Sequence, residues 1–438
     1  MTELAADLRT RLAQHGQEHL LRDVERLEPA VRERFLGRLA EIDWGELGAP
    51  PEPPPLEDVA PPEVVPLADR ERHPEVPERG EAAYRAGDVA VLMVAGGQGT
   101  RLGFPGPKGC FPLAPVTRKT IYQLQAEKVL SVSRRVGRDV PLLVLTSPAT
   151  DEETRAFFAD HRRFGLDVDQ LRFFQQGTVP SAARDGRGLL ATPGVLLENP
   201  DGHGGVFTAL VASGELDRLL AERVRRLVYL QVDNVLAPVD DPFLVGLAEE
   251  RDADVVTKVL EKAHPDERVG HLVRLGQRDR IVEYTELSPE QTRARGADGH
   301  PVYRWGSPAM HCWSVAFLDR LRARGYRPPL HRSAKPLRAW ADGETREVEG
   351  WKYERFVFDL VSEAERSIGL EIRREDEFAP VKNAAGDDSP ATAVELMERQ
   401  QRGWFAAAGE PLPLAPRAQL EISPLFAATR AQFRSRFS

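Results

Sequence analysis

The chain has 438 residues, 41% of them hydrophobic, and 59 Lys and Arg against 68 Asp and Glu give it a formal charge of -9. That length exceeds one ordinary core and predicts a large central domain with smaller companions. The acidic balance excludes nucleic acid as a main partner, because the overall field repels a polyanion and any phosphate must be held by local groups. Cys110 and Cys312 are too few for a disulfide framework and lack metal-ligand spacing, so each is expected to be a small buried hydrophobe in a reducing compartment. No apolar run approaches the roughly 20 residues of a membrane helix, and the first residues carry no signal-peptide core, so a cytoplasmic protein is expected.

From Leu4 to Ile42 apolar residues recur three or four apart among Arg and Glu, the spacing of amphipathic helices, with Gly16 and Pro29 as dividers. Pro29 suits the first turn of a helix. The proline-rich stretch Ala49 to Pro66 reads as an extended linker or arm. Short apolar runs follow: Val89 to Ala95, Val140 to Thr146, Leu227 to Val232, Asp254 to Leu260 and Ile281 to Tyr284. Helical patterns at Ile121 to Val132 and Leu216 to Arg226 lie between them, and this alternation predicts a doubly wound, mostly parallel α/β sheet.

The first of these strands runs into AGGQGTRLGFPGPKG, Ala95 to Gly109. Glycines after a strand let backbone N–H groups approach an anion. Two phosphate-binding patterns nevertheless fail. Leu102 stands where the dinucleotide fingerprint needs its third glycine, and Lys108 follows Pro107 and precedes Gly109, unlike the P-loop lysine. What remains is a loop stiffened by Pro105 and Pro107 that carries a guanidinium, Arg101, and an ammonium, Lys108. That pair suits a triphosphate that splits during reaction; a Gly/Pro surface turn with two solvated cations is the alternative.

The same stretch resembles the signature of the UDP-sugar pyrophosphorylases, and its GGQGTRLG wording is most similar to the UDP-N-acetylglucosamine pyrophosphorylase branch. FFQQGTVP (173–180), PDGHGG (200–205), QVDNVL (231–236), VEYTEL (282–287), GWKYERFVFD (350–359), REDEFAPVKNA (374–384) and EISPL (421–425) resemble further family segments in family order. The resemblance implies a Rossmann-like nucleotidyltransferase core with a mostly parallel, mixed sheet over 81–380. It also implies a helical region with the proline-rich arm over 1–80, and a small, abbreviated C-terminal β-containing domain over 381–438. It implies the conversion of UTP and a sugar 1-phosphate into a UDP-sugar and pyrophosphate by direct displacement at the α-phosphate. The expected sugar is N-acetylglucosamine 1-phosphate. A UDP-glucose or broad-specificity enzyme and an inactive sugar-nucleotide-binding protein are the alternatives.

Carried onto this chain, the resemblance gives Arg101, Lys108 and Lys352 to the reacting phosphates, and Gly96, Gly97, Gly99 and Thr100 to UTP through the loop. Gln176 and Gly202 go to the uracil, His203, Glu283, Tyr284 and Ser307 to the sugar, and Asp233 to Mg2+. An Asp at the end of an apolar strand, where open α/β sheets bind ligands, fits a metal that takes few protein carboxylates beside substrate phosphates. His203 and Ser307 stand where the N-acetylglucosamine branch usually has asparagines, and His203 is the residue of the UDP-glucose branch. His311 matches the family, yet beside the strand-like CWSVAF it also reads as a packed core histidine. Glu375 and Glu377 read as members of an ion-paired turn and not as a metal site. No nucleic-acid or membrane partner is expected, and the chain is expected to be a monomer or weak homo-oligomer.

Overall fold

In the computed structural model, residues 2–48, 59–267, 269–296, 299–341, 343–412 and 418–437 are described. The strand Val89–Val94 forms the middle of the main sheet, with parallel neighbours Arg226–Gln231 on one side and Leu142–Thr146 then Leu171–Gln175 on the other. Val89–Val94, Leu142–Thr146 and Arg226–Gln231 are largely apolar and buried, as strands covered on both faces are, whereas the edge strand Leu171–Gln175 carries Arg172 and an exposed Gln175. Beyond Arg226–Gln231 the antiparallel strand His311–Ser314 joins Val255–Glu261, which pairs in parallel with Ser367–Glu371. The sheet is therefore mixed, with a mostly parallel centre. The predicted strands match the observed ones to within one to three residues at their ends. The helix expected at Leu216 to Arg226 is shorter: it spans Glu215–Ala221, since Arg223 turns left-handed at φ 62° and Arg226 already opens a strand.

Chain order in this sheet reverses between Val89–Val94 and Arg226–Gln231. Strands added before the reversal lie to one side of Val89–Val94, and the strand added after it lies to the other. Such a switch point opens a crevice at the carboxyl ends of the two strands, where ligands of open α/β sheets bind. The glycine-rich loop and Asp233 follow those two ends.

Two units result. The larger one, 55–175, 206–326 and 358–438, holds this sheet and most of the buried apolar residues. The helix Ile121–Val136 packs on it, capped by the Thr120 hydroxyl and ended by left-handed Gly137. The segment 59–66 of the proline-rich stretch adds two short strands: Val59–Ala60 pairs with Gly270–Leu275, and Val64–Val65 with Ser367–Glu371. The remainder, 49–58, lies outside the described residues. From residue 381 to the end the described residues form the helices Pro390–Ala408 and Arg430–Arg434 and no strand, so the β-containing character expected there is not found among them. Both cysteines are buried as expected, and desolvation pushes each thiol up to about 12.

The smaller unit gathers 1–54, 176–205 and 327–357. Helices Thr2–Gln14 and Pro29–Glu41, the latter with Pro29 in its first turn, are separated between the expected dividers Gly16 and Pro29, where the helical spacing of the middle stretch is realised only as short 3-10 turns. Leu12, Leu39, Trp44 and Leu47 pack with Val179, Ala182, Leu330 and Tyr353. The latter four belong to short strands and to the long hairpin Leu330–Ala341/Glu344–Arg355. Polar bonds fix the seam. Gln17 donates to Gly186 O (3.0 Å) and accepts from Gly188 N (2.8 Å), and the Tyr353 hydroxyl donates to Leu47 O (3.0 Å).

Candidate active site

In the larger unit, the glycine loop closes on itself. Gly99 N donates to Gly106 O (2.8 Å) and Lys108 N to Gly97 O (3.0 Å). The Gly99 N–H is thus committed inside the loop, so Gly99 serves as a shaping residue and not as the phosphate donor expected of it. A Cβ there would also lie 2.9 Å from Phe104 O. Gly96 is anchored through its carbonyl, which accepts from the Ser147 hydroxyl at 2.8 Å. Thr100 and Arg101 are exposed in the short turn Thr100–Leu102, while Lys108 is buried.

The Lys108 ammonium donates to Asp233 Oδ2 at 2.9 Å. Burial alone would raise the Asp233 carboxyl, but the charges of Lys108, Lys382 and Arg101 outweigh it and hold the group below the usual carboxylate range. Lys382 is a member of this cluster that the sequence reading did not single out. It lies far from Asp233 in the chain, and only folding joins the two segments: Val381 N donates to Asp233 O (3.0 Å), and Asn234 forms a bridge with Pro380. The loop after Lys382 folds back so that Asp388 O accepts from Lys382 N (2.6 Å) and Asn383 N (3.0 Å). Behind Asp233, Gln125 donates to Asn234 O (3.0 Å) and Lys128 to Val235 O (2.7 Å) and Ala237 O (2.9 Å). Helix Ile121–Val136 therefore braces the acidic loop.

Three more expected residues meet in the same unit. Ser307 lies opposite Gly270 in neighbouring strands, and a Cβ on Gly270 would come within 3.3 Å of Glu283 Oε1. Gly270 thus lies next to both Ser307 and Glu283 and leaves room for the Glu283 carboxylate. Glu283 caps the turn Tyr284–Glu286, and Tyr284 beside it is 41% exposed. The Ser307 hydroxyl accepts from Ala309 N at 3.3 Å. His311 is fully buried, its Nδ1 3.1 Å from the Thr257 hydroxyl and its ring against Tyr229 and Trp313, as a packed core residue would be. Glu377 is ion-paired with Lys258, as the ion-paired reading of RREDEF expects.

In the smaller unit, Gln176 is buried just before the strand Thr178–Pro180, and Gly202 takes φ 86° in the turn after Glu198–Pro200. A Cβ on Gly202 would stand 2.6 Å from Arg355 O, so glycine is required twice over, by conformation and by space. His203 Nδ1 accepts from Val357 N at 3.1 Å, which leaves the ring proton on Nε2, and the ring stacks on Phe356. Lys352 Nζ donates to Glu354 Oε1 at 2.9 Å.

A mostly parallel sheet with a glycine loop and a carboxylate facing each other across its switch point defines a nucleotide-binding α/β enzyme. The sequence pattern of the UTP–glucose-1-phosphate uridylyltransferase family matches residues 55–303. The chain is 35% identical over 434 residues to UDP-N-acetylglucosamine diphosphorylase 2 of Arabidopsis thaliana, covering 94% of this chain and 85% of the relative. It is 36% identical over 436 residues to human UDP-N-acetylhexosamine pyrophosphorylase-like protein 1, covering 92% and 86%. Among solved structures, the uridine diphosphate N-acetylglucosamine pyrophosphorylase of Trypanosoma brucei in complex with inhibitor superposes with a TM-score of 0.82 at 28% identity, covering 100% of this chain and 95% of that one. A UDP-glucose phosphorylase from Trypanosoma brucei shares the fold at a TM-score of 0.62 and 22% identity, covering 86% of this chain and 78% of that one. The chain belongs to the UTP–glucose-1-phosphate uridylyltransferase family, the UDP-sugar pyrophosphorylases.

Proposed function

We propose that the protein transfers the uridylyl group of UTP to an N-acetylhexosamine 1-phosphate, N-acetylglucosamine 1-phosphate foremost, and releases pyrophosphate. The observation that carries the reading is the buried Lys108–Asp233 pair at the switch point, whose carboxylate also feels the charges of half-buried Lys382 and exposed Arg101. Several cations around one carboxylate are what a splitting triphosphate and its metal ion require. The sugar rests on the names of the relatives.

The attacking oxygen belongs to the sugar phosphate, which is largely dianionic at neutral pH, so no side chain has to remove a proton. That oxygen forms a bond to the α-phosphorus as the bond from α-phosphorus to the β-bridging oxygen breaks, and pyrophosphate departs with the electron pair. Catalysis then consists of alignment and charge neutralisation. Arg101, Lys108, Lys382 and Lys352 neutralise phosphate charge in this reading, Gly96, Gly97 and Thr100 line the nucleotide, and Gly99 keeps the loop closed. Gln176 offers both a donor and an acceptor to the uracil edge beside Gly202. Glu283, Tyr284, Ser307 and the Nε2–H of His203 are the sugar contacts.

Asp233 fits Mg2+, since a hard cation bound mainly by phosphate oxygens and water needs few protein carboxylates. Among the described residues no group of three or more His, Cys, Asp or Glu offers an all-protein cage, so Asp233 would hold the ion together with the substrate. Bound there, Mg2+ supplies positive charge to the phosphate oxygens. Asp233 is engaged by Lys108 at 2.9 Å, so with Mg2+ on the carboxylate the Lys108 ammonium would be available to a phosphate.

The test is pyrophosphate release from UTP and Mg2+ with a panel of sugar 1-phosphates. Release with N-acetylglucosamine 1-phosphate and N-acetylgalactosamine 1-phosphate is expected. Release with glucose 1-phosphate alone would overturn the hexosamine assignment, and no release with any sugar would overturn the enzyme. In the same assay Lys382→Met should lower kcat by about 10²-fold, the usual scale for losing one charge-stabilising contact.

A further inference from the structure

We propose that Asp201 is the positioning residue of the base pocket: its buried carboxyl group wedges the segment Gln176–Gly177 apart from the turn Gly202–Gly205 and so sets the geometry in which uracil is preferred over other bases. The inference rests on the assignment of UTP made above.

Asp201 stands next to Gly202 and is only 5% exposed. Its backbone is fixed at both ends, with N donating to Gly177 O (3.0 Å) and O accepting from Arg355 N (2.6 Å). Its carboxyl group lies against two glycines. A Cβ on Gly205 would meet Oδ1 at 2.0 Å, and one on Gly177 would meet Oδ2 at 3.1 Å. One of these glycines follows Gln176 and the other ends the turn that carries Gly202 and His203. The side chain therefore fills the space that keeps these two segments in register.

A carboxyl group is a costly filler unless its shape and polarity are needed. Oδ1 is buried without a hydrogen-bond partner, and desolvation raises the group to about 7 against the opposing charge of Arg355. The Arg355 guanidinium is itself committed to Glu46 and to Pro328 O, so it does not form a direct pair with Asp201. Alanine or serine would fill the backbone position at less cost, and neither reaches both glycines.

The experiment combines substrate discrimination with a double-mutant cycle in the full chain. Asp201→Ala is expected to lower the ratio of kcat/KM for UTP over CTP by about tenfold or more, the scale on which one pocket contact discriminates, and to act mainly through KM for the nucleotide. Asp201→Asn, of the same shape, should keep the ratio within about threefold. A merely structural residue would lower thermal stability and leave the UTP/CTP ratio unmoved. Gly205→Ala should be strongly destabilising alone, whereas adding it to Asp201→Ala should cost little more than Asp201→Ala itself, because the atoms it strikes are gone. An unchanged UTP/CTP ratio in an active Asp201→Ala variant, or strictly additive stability effects, would overturn the role of Asp201 alone. A wild-type protein that turns over no nucleotide would instead sink the uridylyl assignment and the base-pocket role with it.

Discussion

Replacing Asp233 with alanine is expected to lower kcat by about 10²- to 10³-fold, with the loss undiminished by raised Mg2+. The carboxylate is 8% exposed and is held ionised by Lys108, Lys382 and Arg101, so it is a preformed negative centre among cations. Without it, buried Lys108 loses its counter-charge beside Lys382 and Arg101, and a metal ion held as proposed would lose its protein ligand. Removing one member of a buried ion pair commonly costs about 3–5 kcal/mol, so a lowered melting temperature is expected as well. Linkage separates this stability from the catalytic loss. A carboxyl whose folded pKa lies below its unfolded value contributes stability that is present above the unfolded value, near pH 4, and is lost as pH falls through the folded one. The stability gap between wild type and Asp233→Ala should therefore be full at pH 6 to 8 and narrow below pH 4. Thermal melts across pH and steady-state kinetics with varied Mg2+ check the two halves independently. Full turnover in Asp233→Ala would remove Asp233 from the metal role.

The second large effect is structural. Gly246→Ala and Gly80→Ala are each expected to destabilise the protein by about 3 kcal/mol or more, at the upper end of overpacking costs. Helices Glu75–Ala86 and Pro242–Glu250 touch backbone to backbone. A Cβ on Gly246 would stand 1.8 Å from Val76 O, and one on Gly80 would stand 1.9 Å from Pro242 O. Neither obstacle is the movable end of a side chain, so the helices would have to separate. Tyr84, whose hydroxyl donates to Val239 O at 2.8 Å, would be pulled from its acceptor. Urea unfolding at neutral pH measures the effect, and a change below about 1 kcal/mol in both variants would mean that the helices tolerate separation.

Much of the candidate site was legible because it lies in contiguous segments. The loop from Ala95 to Gly109 carries its own glycines, prolines and cations, and Asp233 directly follows an apolar strand. Lys382 and Asp201 were not legible by the same means. Lys382 becomes part of the cluster only through Val381 N meeting Asp233 O, a pairing between segments far apart in the chain. Asp201 reads as an ordinary turn residue until its carboxyl group is found against Gly177 and Gly205. Gly99 errs in the opposite direction: its glycine was legible, but its N–H had already been given to Gly106 O.

The sequence by itself determined the central strands of the main sheet, the glycine- and proline-rich loop that follows the first of them and the family, because these depend on local periodicity and on residues a few positions apart. The tertiary structure alone decided the gathering of 1–54, 176–205 and 327–357 into one unit, the pairing of Lys108 with Asp233 and the recruitment of Lys382. Those outcomes depend on which distant segments share a buried surface. A buried charge is stabilised only by partners that the fold brings within a few ångströms, and no local pattern of residues encodes that distance.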